Sequence, residues 1–203
     1  MKEDEGELGP SEEEENKESD NAVKIAVLGQ DLVGKTALIS RFLNNKFPET
    51  RETTVEDQYK KAIKLNGVEC ELEILDTAGQ EEYQPMMDDW IKFAYCFILV
   101  YSIDNKESFI QINNKYETIL KNKSKEKNKI SIIILGNKCD LDNDNRKVTK
   151  EEADKYANSI GVTLIETSAL NSINVNEGFL KVIQNYLEKN RKKCKKNKGC
   201  PCF

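Results

Sequence analysis

The chain has 203 residues, 38% of them apolar and 33% charged, which suits one α/β domain with tails and is short for two. No run approaches the roughly 18 apolar residues of a membrane helix, and the first residues lack the apolar core of a secretory leader, so folding in the cytosol is expected. Histidine is absent, which excludes a Ser-His-Asp triad, a Cys-His nucleophile pair and any histidine zinc site or general base.

The net charge of −5 hides two tails of opposite sign. Residues 1–20 carry ten acids and two lysines, the pattern of a solvated, disordered extension. Residues 189–203 carry seven basic residues and no acid. Between them, residues 21–188 form the expected folded domain. A sequence pI near 5.1, with no aromatics among the basic residues, argues against a nucleic-acid partner. Of the six cysteines, Cys194, Cys200 and Cys202 crowd the last ten residues and the others are scattered, so free thiols with a chemically special tail are expected rather than a disulfide set.

In chain order, residues 23–28 form a short apolar run ending at Gly29, as a buried parallel strand does. A helix opens shortly after it. Asn66-Gly67 separates runs 59–65 and 68–75 and is the favoured two-residue hairpin turn. Lys60, Lys61 and Lys64 on the first run face Glu69, Glu71 and Glu73 on the second, which predicts complementary cross-strand charge. Residues 95–101, 130–135 and 162–165 are further buried strands. A helical stripe of Phe109, Ile112, Tyr116, Ile119 and Leu120 precedes the second of these. Another, of Ala153, Tyr156, Ala157 and Ile160, opens with a capping box at Thr149–Glu152 and stops at Gly161. A last helix carries Val175, Phe179, Val182, Ile183, Tyr186 and Leu187. The pattern predicts an α/β fold: a six-stranded, mostly parallel sheet with one antiparallel strand and helices on both faces.

Two motifs carry chemistry. Residues 29–36 fit G-x-x-x-x-G-K-[ST] between a strand and a helix, the context of a phosphate-binding P-loop. Converging backbone N–H groups and the positive end of the helix favour an anion there. Lys35 would reach the β- and γ-phosphates, and the Thr36 hydroxyl would bind Mg²⁺. About a hundred residues on, Asn137-Lys138-Cys139-Asp140 follows a strand. A carboxylate at Asp140 can accept from guanine N1–H and the 2-amino group together, a donor pair that adenine lacks. Asn137 would bond the other edge of the ring, and the Thr167-Ser168-Ala169 segment offers a backbone amide to the guanine oxygen.

From about residue 23 to 187 the chain resembles the Ras family of small GTPases, closest to its Ras/Rap branch. Asp76-Thr77-Ala78-Gly79-Gln80 matches the family's second switch, and Thr53–Tyr59 its first switch and effector segment. The resemblance implies a P-loop G domain that binds GDP and GTP with Mg²⁺ and hydrolyses GTP slowly, under an exchange factor and an activating protein. It places the nucleotide on Gly29, Asp31, Leu32, Val33, Gly34, Lys35, Thr36 and Ala37, with Phe47 edge-on to the guanine. Thr54 and Gly79 would sense the γ-phosphate, and Asn137, Lys138, Asp140, Leu141, Ser168, Ala169 and Leu170 would hold the base. Thr36, Thr54 and Asp76 are the implied metal residues; Gln80, Lys35 and Thr54 the catalytic ones, Gln80 orienting the attacking water. Effectors are expected to add a strand at 51–59.

Departures from the family are also visible. Thr53 stands where a Pro is usual, Arg51 where the branch has a Tyr, and Leu170 where a Lys follows the Thr-Ser-Ala. Asp31 and Leu32 occupy positions usually held by Gly. At Asp31 a side chain crowds the space an arginine finger must enter, so weak stimulated hydrolysis is expected. The alternatives are a GTP-locked, membrane-bound scaffold or a Rab-like trafficking GTPase. The last four residues, Cys200-Pro201-Cys202-Phe203, read as a prenylation box, for which Phe203 favours geranylgeranyl. Cys200 is then the lipidation site for a prenyltransferase, and Cys194 a candidate for palmitoylation. One lipid chain needs a second signal, and the basic tail supplies it at an anionic membrane surface. The expected location is the cytoplasmic face of the plasma membrane.

Overall fold

The computed structural model describes residues 22–48, 54–65 and 67–194. The acidic extension, Arg51, Thr53, Asn66 and the tail with Cys200 lie outside the described residues, as do the side chains of residues 191–194, Cys194 included. Six strands form one sheet in the order β2-β3-β1-β4-β5-β6. They are β1 Val23–Gly29, β2 Glu56–Leu65, β3 Val68–Thr77, β4 Cys96–Ser102, β5 Ser131–Asn137 and β6 Thr163–Thr167. Only the β2–β3 pair is antiparallel. Five α-helices accompany the strands among the described residues: α1 Lys35–Asn44, α2 Met87–Phe93, α3 Lys106–Asn122, α4 Lys150–Ile160 and α5 Val175–Cys194.

The central strands are apolar at nearly every position because helices cover both faces, the situation of a parallel sheet. Ile25 and Val27 of β1 point to the face covered by α1 and α5, where Phe42 and Phe179 stack with ring centroids 4.2 Å apart. Ala26 and Leu28 point to the other face, with Trp90, Ile91, Ile112 and Ala153 from α2, α3 and α4. The two predicted stripes of α3 and α4 lie on this second face; Tyr116, Leu120, Tyr156 and Ile160 are partly buried at its margin.

The hairpin forms as expected: Leu65 pairs with Val68, and Gly67 takes φ +84°, which a residue without Cβ adopts freely. Its charge pairing is only partly as expected. Lys60 lies opposite Glu73 and pairs with it at 3.7 Å, and Lys64 lies opposite Glu69. Lys61, however, lies opposite Leu72 and turns to the other side of the sheet. There its ammonium binds the carbonyls of Phe42 and Leu43 at the end of α1 and sits 4.4 Å from the Phe42 ring. The strand period of two explains this: residues 60 and 61 cannot share a face.

The capping box at α4 is half realised. Thr149 Oγ1 accepts from the Glu152 amide at 3.2 Å, but Glu152 pairs with Lys106 of α3 instead of folding back. Gly161 ends the helix at φ +67°, with its amide on the carbonyls of Ala157 and Asn158. At the other end of the chain α5 runs past residue 188 to Cys194, and Lys189 Nζ donates to Ile130 O at 2.9 Å. No helix among the described residues is long and apolar enough to cross a membrane.

Candidate functional site

Strands β1, β3, β5 and β6 end on one side of the sheet, and the loops that follow them wall a cleft of about 570 Å³. In open α/β sheets this carboxyl edge is where ligands bind. The cleft is lined by Asp31, Leu32, Gly34, Lys35, Thr36, Ala37, Phe47, Thr54, Gly79, Gln80, Asn137, Lys138, Asp140, Leu141, Ala169 and Leu170, so most of the residues expected in the site come together. Gly29, Val33, Asp76 and Ser168 stand behind the wall instead, and Val33, Asp76 and Ser168 are almost wholly buried.

Gly34 sits at the N-terminus of α1 with φ +96°, and a Cβ there would come within 2.4 Å of Asn137 Nδ2. The P-loop is therefore drawn against the β5 loop at a point only glycine allows. Asn137 explains why. Its Nδ2 donates to Val33 O at 2.9 Å, and its Oδ1 accepts from the Ala169 amide at 3.2 Å and from Thr167 Oγ1 at 3.5 Å. Its motif assigns this side chain to the ring edge. The structure gives it first to the protein, joining three loops and leaving one amide hydrogen for a ligand.

A second tie comes from Arg41 of α1, which sequence reasoning did not single out. Its Nε donates to Ala169 O at 2.9 Å and its Nη2 to Leu170 O at 2.8 Å. The signal lay in its position, one helical turn and a half beyond Lys35, but nothing in the sequence names its partner. Lys138 adopts φ +68°, and its ammonium pairs with Asp104 at 3.3 Å, while Asp140 Oδ1 is buried with no hydrogen-bond partner. An orphan carboxylate oxygen beside a cleft is an acceptor awaiting a donor. The amide of Ser168 is taken by Ile173 O at 3.1 Å, so it does not face the cleft.

At the other end, Lys35 lies along the P-loop with Nζ 3.3 Å from Gly29 O and 3.0 Å from Gln30 O. Burial lowers its pKa to about 8, with Asp76 and Asp31 opposing the drop. Thr36 Oγ1 donates to Asp76 Oδ2 at 2.6 Å and meets Thr54 Oγ1 at 3.0 Å. Asp76 Oδ1 is buried without a partner, and burial raises the carboxyl to about 6 against the pull of Thr36 and Lys35. Two hydroxyls beside an unsatisfied carboxylate oxygen form a hard-oxygen donor set that fits Mg²⁺, a cation that takes few protein ligands and keeps waters or phosphate oxygens. Among the described residues no cluster of three His, Cys, Asp or Glu side chains exists to hold a metal.

The switch segments close onto this end. Ala78 N donates to Val55 O at 3.0 Å. A Cβ on Gly79 would fall 2.3 Å from Asp31 N, so the second switch rests on the P-loop backbone. Asp31 itself is exposed and its Oδ1 accepts from the Leu32 amide at 2.9 Å, with Leu32 at φ +61° and 69% exposed. Phe47 is 40% exposed at the cleft rim rather than packed in the core. Behind the switches Trp90 of α2, only 4% exposed, donates from Nε1 to Glu56 Oε2 at 2.7 Å. This link between the helix after the second switch and the strand after the first had no signature in the sequence.

The cleft thus combines an anion cradle, a hard-cation donor set and an orphan acceptor at the base end, the parts of a nucleoside-triphosphate switch. The chain belongs to the Ras family, whose family model matches residues 24–188. It is 39% identical over 164 residues to "Ras-like protein rasB" of Dictyostelium discoideum, covering 81% of this chain and 82% of that one. It is 37% identical over 174 residues to "Ras-like protein rasU" of the same organism, covering 86% and 80%. It is a small GTPase with a guanine-nucleotide-binding domain.

Proposed function

We propose that this chain is a signalling switch, GTP-bound in its active form and anchored to a membrane by its C-terminus. The observation that carries the switch is the meeting of Thr36, Asp76 and Thr54, since it joins the P-loop, the second switch and the first at one point. When bound there, Mg²⁺ neutralises charge on the β- and γ-phosphates. Thr36 and Thr54 would offer it hydroxyl oxygens, and Asp76 would help to hold it with its carboxylate. Lys35 exchanges the two loop carbonyls it now touches for phosphate oxygens. Gly79 offers its amide to the γ-phosphate, and Gln80 orients the water that attacks it. Loss of the γ-phosphate removes what holds Thr54 and Gly79 in place, and the effector segment 51–59 relaxes. Asp140 accepts the guanine's N1–H and 2-amino hydrogens, and Phe47 packs against the ring.

Hydrolysis is slow without an activating protein and, because of Asp31, poorly stimulated with one. The exposed Asp31 and Leu32 side chains stand at the mouth of the loop, where an activator's arginine has to enter. A finger of this kind supplies about 10³–10⁵ in rate, so partial exclusion outweighs most other effects. The same feature favours a second reading, a scaffold that stays largely GTP-bound. The anchor is Cys200 with the basic tail as second signal. Single-turnover hydrolysis, with and without an activating protein, decides between the two. For the switch, Asp31→Gly raises stimulated turnover at least tenfold over a measurable parent rate. A parent that hydrolyses nothing over hours is the scaffold, and an unchanged rate in the variant removes Asp31 as the cause. Cys200→Ser is expected to release the protein from the membrane fraction.

A further inference from the structure

The sheet has a second end. The loop between α3 and β5 and the last turn of α5 both lie at the amino edge of the strands, opposite the cleft, because the loop precedes Ser131 and α5 runs back from the cleft side. The two are fastened together. Lys189 Nζ donates to Ile130 O at 2.9 Å and Asn190 Nδ2 to Lys129 O at 3.1 Å. The loop region is lysine-rich: Lys121, Lys123, Lys125, Lys127 and Lys129 occur in nine residues with Glu126 as the only acid. Lys123 and Lys129 are paired with Glu126, each at 3.6 Å. Lys121, Lys125 and Lys127 are exposed, and among the described residues none has an ion-pair partner. Glu188 is the acid that α5 adds nearby, beside Lys189.

We propose that this amino-edge face is a second contact with an anionic lipid surface, through Lys121, Lys125 and Lys127, and that it fixes the orientation of the domain on the membrane. The proposal rests on the tail being the anchor. Cys200 lies six positions beyond Cys194, where α5 ends. Even fully extended this stretch spans only about 20 Å. A lipid on Cys200 therefore holds the end of α5, and the loop fastened to it, close to the headgroups. The basic tail residues between bring the same sign of charge to the same place. A surface field decays within roughly 8 Å at physiological salt, so a short tether is what lets fixed lysines on the domain take part. Docked this way, the cleft and both switch segments face away from the membrane, open to regulators.

Vesicle sedimentation of the purified full chain, unlipidated and loaded with GDP and Mg²⁺ at low ionic strength, tests this. The probe is phosphatidylcholine vesicles with and without phosphatidylserine. Each lysine at such a surface is worth about fivefold in partitioning, so K121A/K125A/K127A is expected to bind at least tenfold more weakly than the parent. K150A/K155A, on exposed α4 positions elsewhere, is expected to bind as the parent does. Acetylation of vesicle-bound protein is expected to spare Lys121, Lys125 and Lys127 and to label Lys150 and Lys155. A triple variant that partitions like the parent overturns the proposal, as does protection confined to the tail. Capture of RNA or an acidic protein in preference to vesicles overturns it too. The assay carries no lipid anchor, so Cys200 is judged separately by fractionation in cells. A K195A/K196A/K198A variant that alone loses binding leaves the tail reading standing and the face refuted.

Discussion

At one end of the cleft Asn137 and Arg41 tie the P-loop, α1 and the loops after β5 and β6 together through bonds wholly within the protein. At the other, Thr36, Thr54 and Asp76 meet around a carboxylate oxygen that has no partner, and the segments that bring them there are the two switches. The first end is closed by the protein's own bonds. Among the described residues the second is joined through Thr36, Thr54 and Asp76, and it leaves Asp76 Oδ1 without a partner. A switch requires this asymmetry: affinity from the rigid end, and a response to the γ-phosphate from the end that can rearrange.

The comparison breaks hardest at Asp140, the exception on the rigid side, whose Oδ1 is also orphaned. Asp140→Asn replaces an acceptor by a donor, so the site then repels the guanine donors and suits a xanthine ring. Sites that read a hydrogen-bonding group discriminate by about 10⁴, and a loss of guanine preference of that order is expected in competition binding. Wild-type protein that binds ATP as tightly as GTP contradicts the base assignment itself.

Next in size is Asn137→Ala. It strands Val33 O and the Ala169 amide, both in buried surroundings, at about 1–3 kcal/mol each. That is a large part of the 5–15 kcal/mol that holds a typical domain together. The variant is expected to melt well below the parent and to release nucleotide at least a hundredfold faster. Arg41→Ala, which frees carbonyls that water can reach, is expected to do the same more weakly.

The fold was legible because the central strands are apolar on both faces and the helices on one, so the two periods separate cleanly, and because Asn66-Gly67 marks the charged hairpin. Gly34, Lys35 and Thr36 were legible because phosphate chemistry needs them in one short run. Helix α2 and the 3₁₀ turn Glu81–Met86 before it were not. Two turns with Pro85 in the preceding segment give too few positions for a stripe, and the helix is held by tertiary contacts instead: Met87, Trp90 and Ile91 pack into the core on the β1 side and Trp90 bonds Glu56. Lys115 was unreadable for another reason. It is 7% exposed on α3, and a lysine stem packs like an apolar side chain although its letter reads as solvent. The role of Asn137 was half read: its motif announced the ring, whereas its three protein partners come from segments 30 and 104 residues away, in pairings only the folded chain reveals.

The Asp76 end is sharpened by pH. Burial holds this carboxyl at about 6, against 3.8 for a free carboxyl. The native state then binds more protons than the unfolded chain between those values, so its stability falls as pH rises through that window. The cost, about 3 kcal/mol, is complete above pH 6. A cation beside Asp76 reverses the penalty. The gain in melting temperature from Mg²⁺ is therefore expected to grow from pH 5 to pH 7, and Mg²⁺ affinity to fall nearly tenfold per pH unit below 6. Calorimetric titration across that range checks both. Asp76→Asn removes the dependence.

The smallest effect is expected where the two switches are linked from behind. Trp90 is the only tryptophan of the chain, and its indole N–H bonds Glu56 Oε2 at 2.7 Å, one residue past Val55, whose carbonyl receives the Ala78 amide. A bond to a charged partner is worth about 1.5–3 kcal/mol when buried and less at a half-open site such as this. Glu56→Gln keeps an acceptor and is expected to change little; Glu56→Ala removes it and leaves the buried indole unpaired. Because Trp90 lies behind the switches rather than in the cleft, the loss is expected in switch behaviour more than in affinity: nucleotide exchange faster by a few-fold, with base preference unchanged. The tryptophan reports on itself, so its emission is expected to shift in Glu56→Ala but not in Glu56→Gln. It is also expected to differ between the GDP and GTP-analogue states of the parent and to differ less in Glu56→Ala. If both variants exchange and emit as the parent does, the bond is a packing detail, and the two switches are coupled only through the nucleotide.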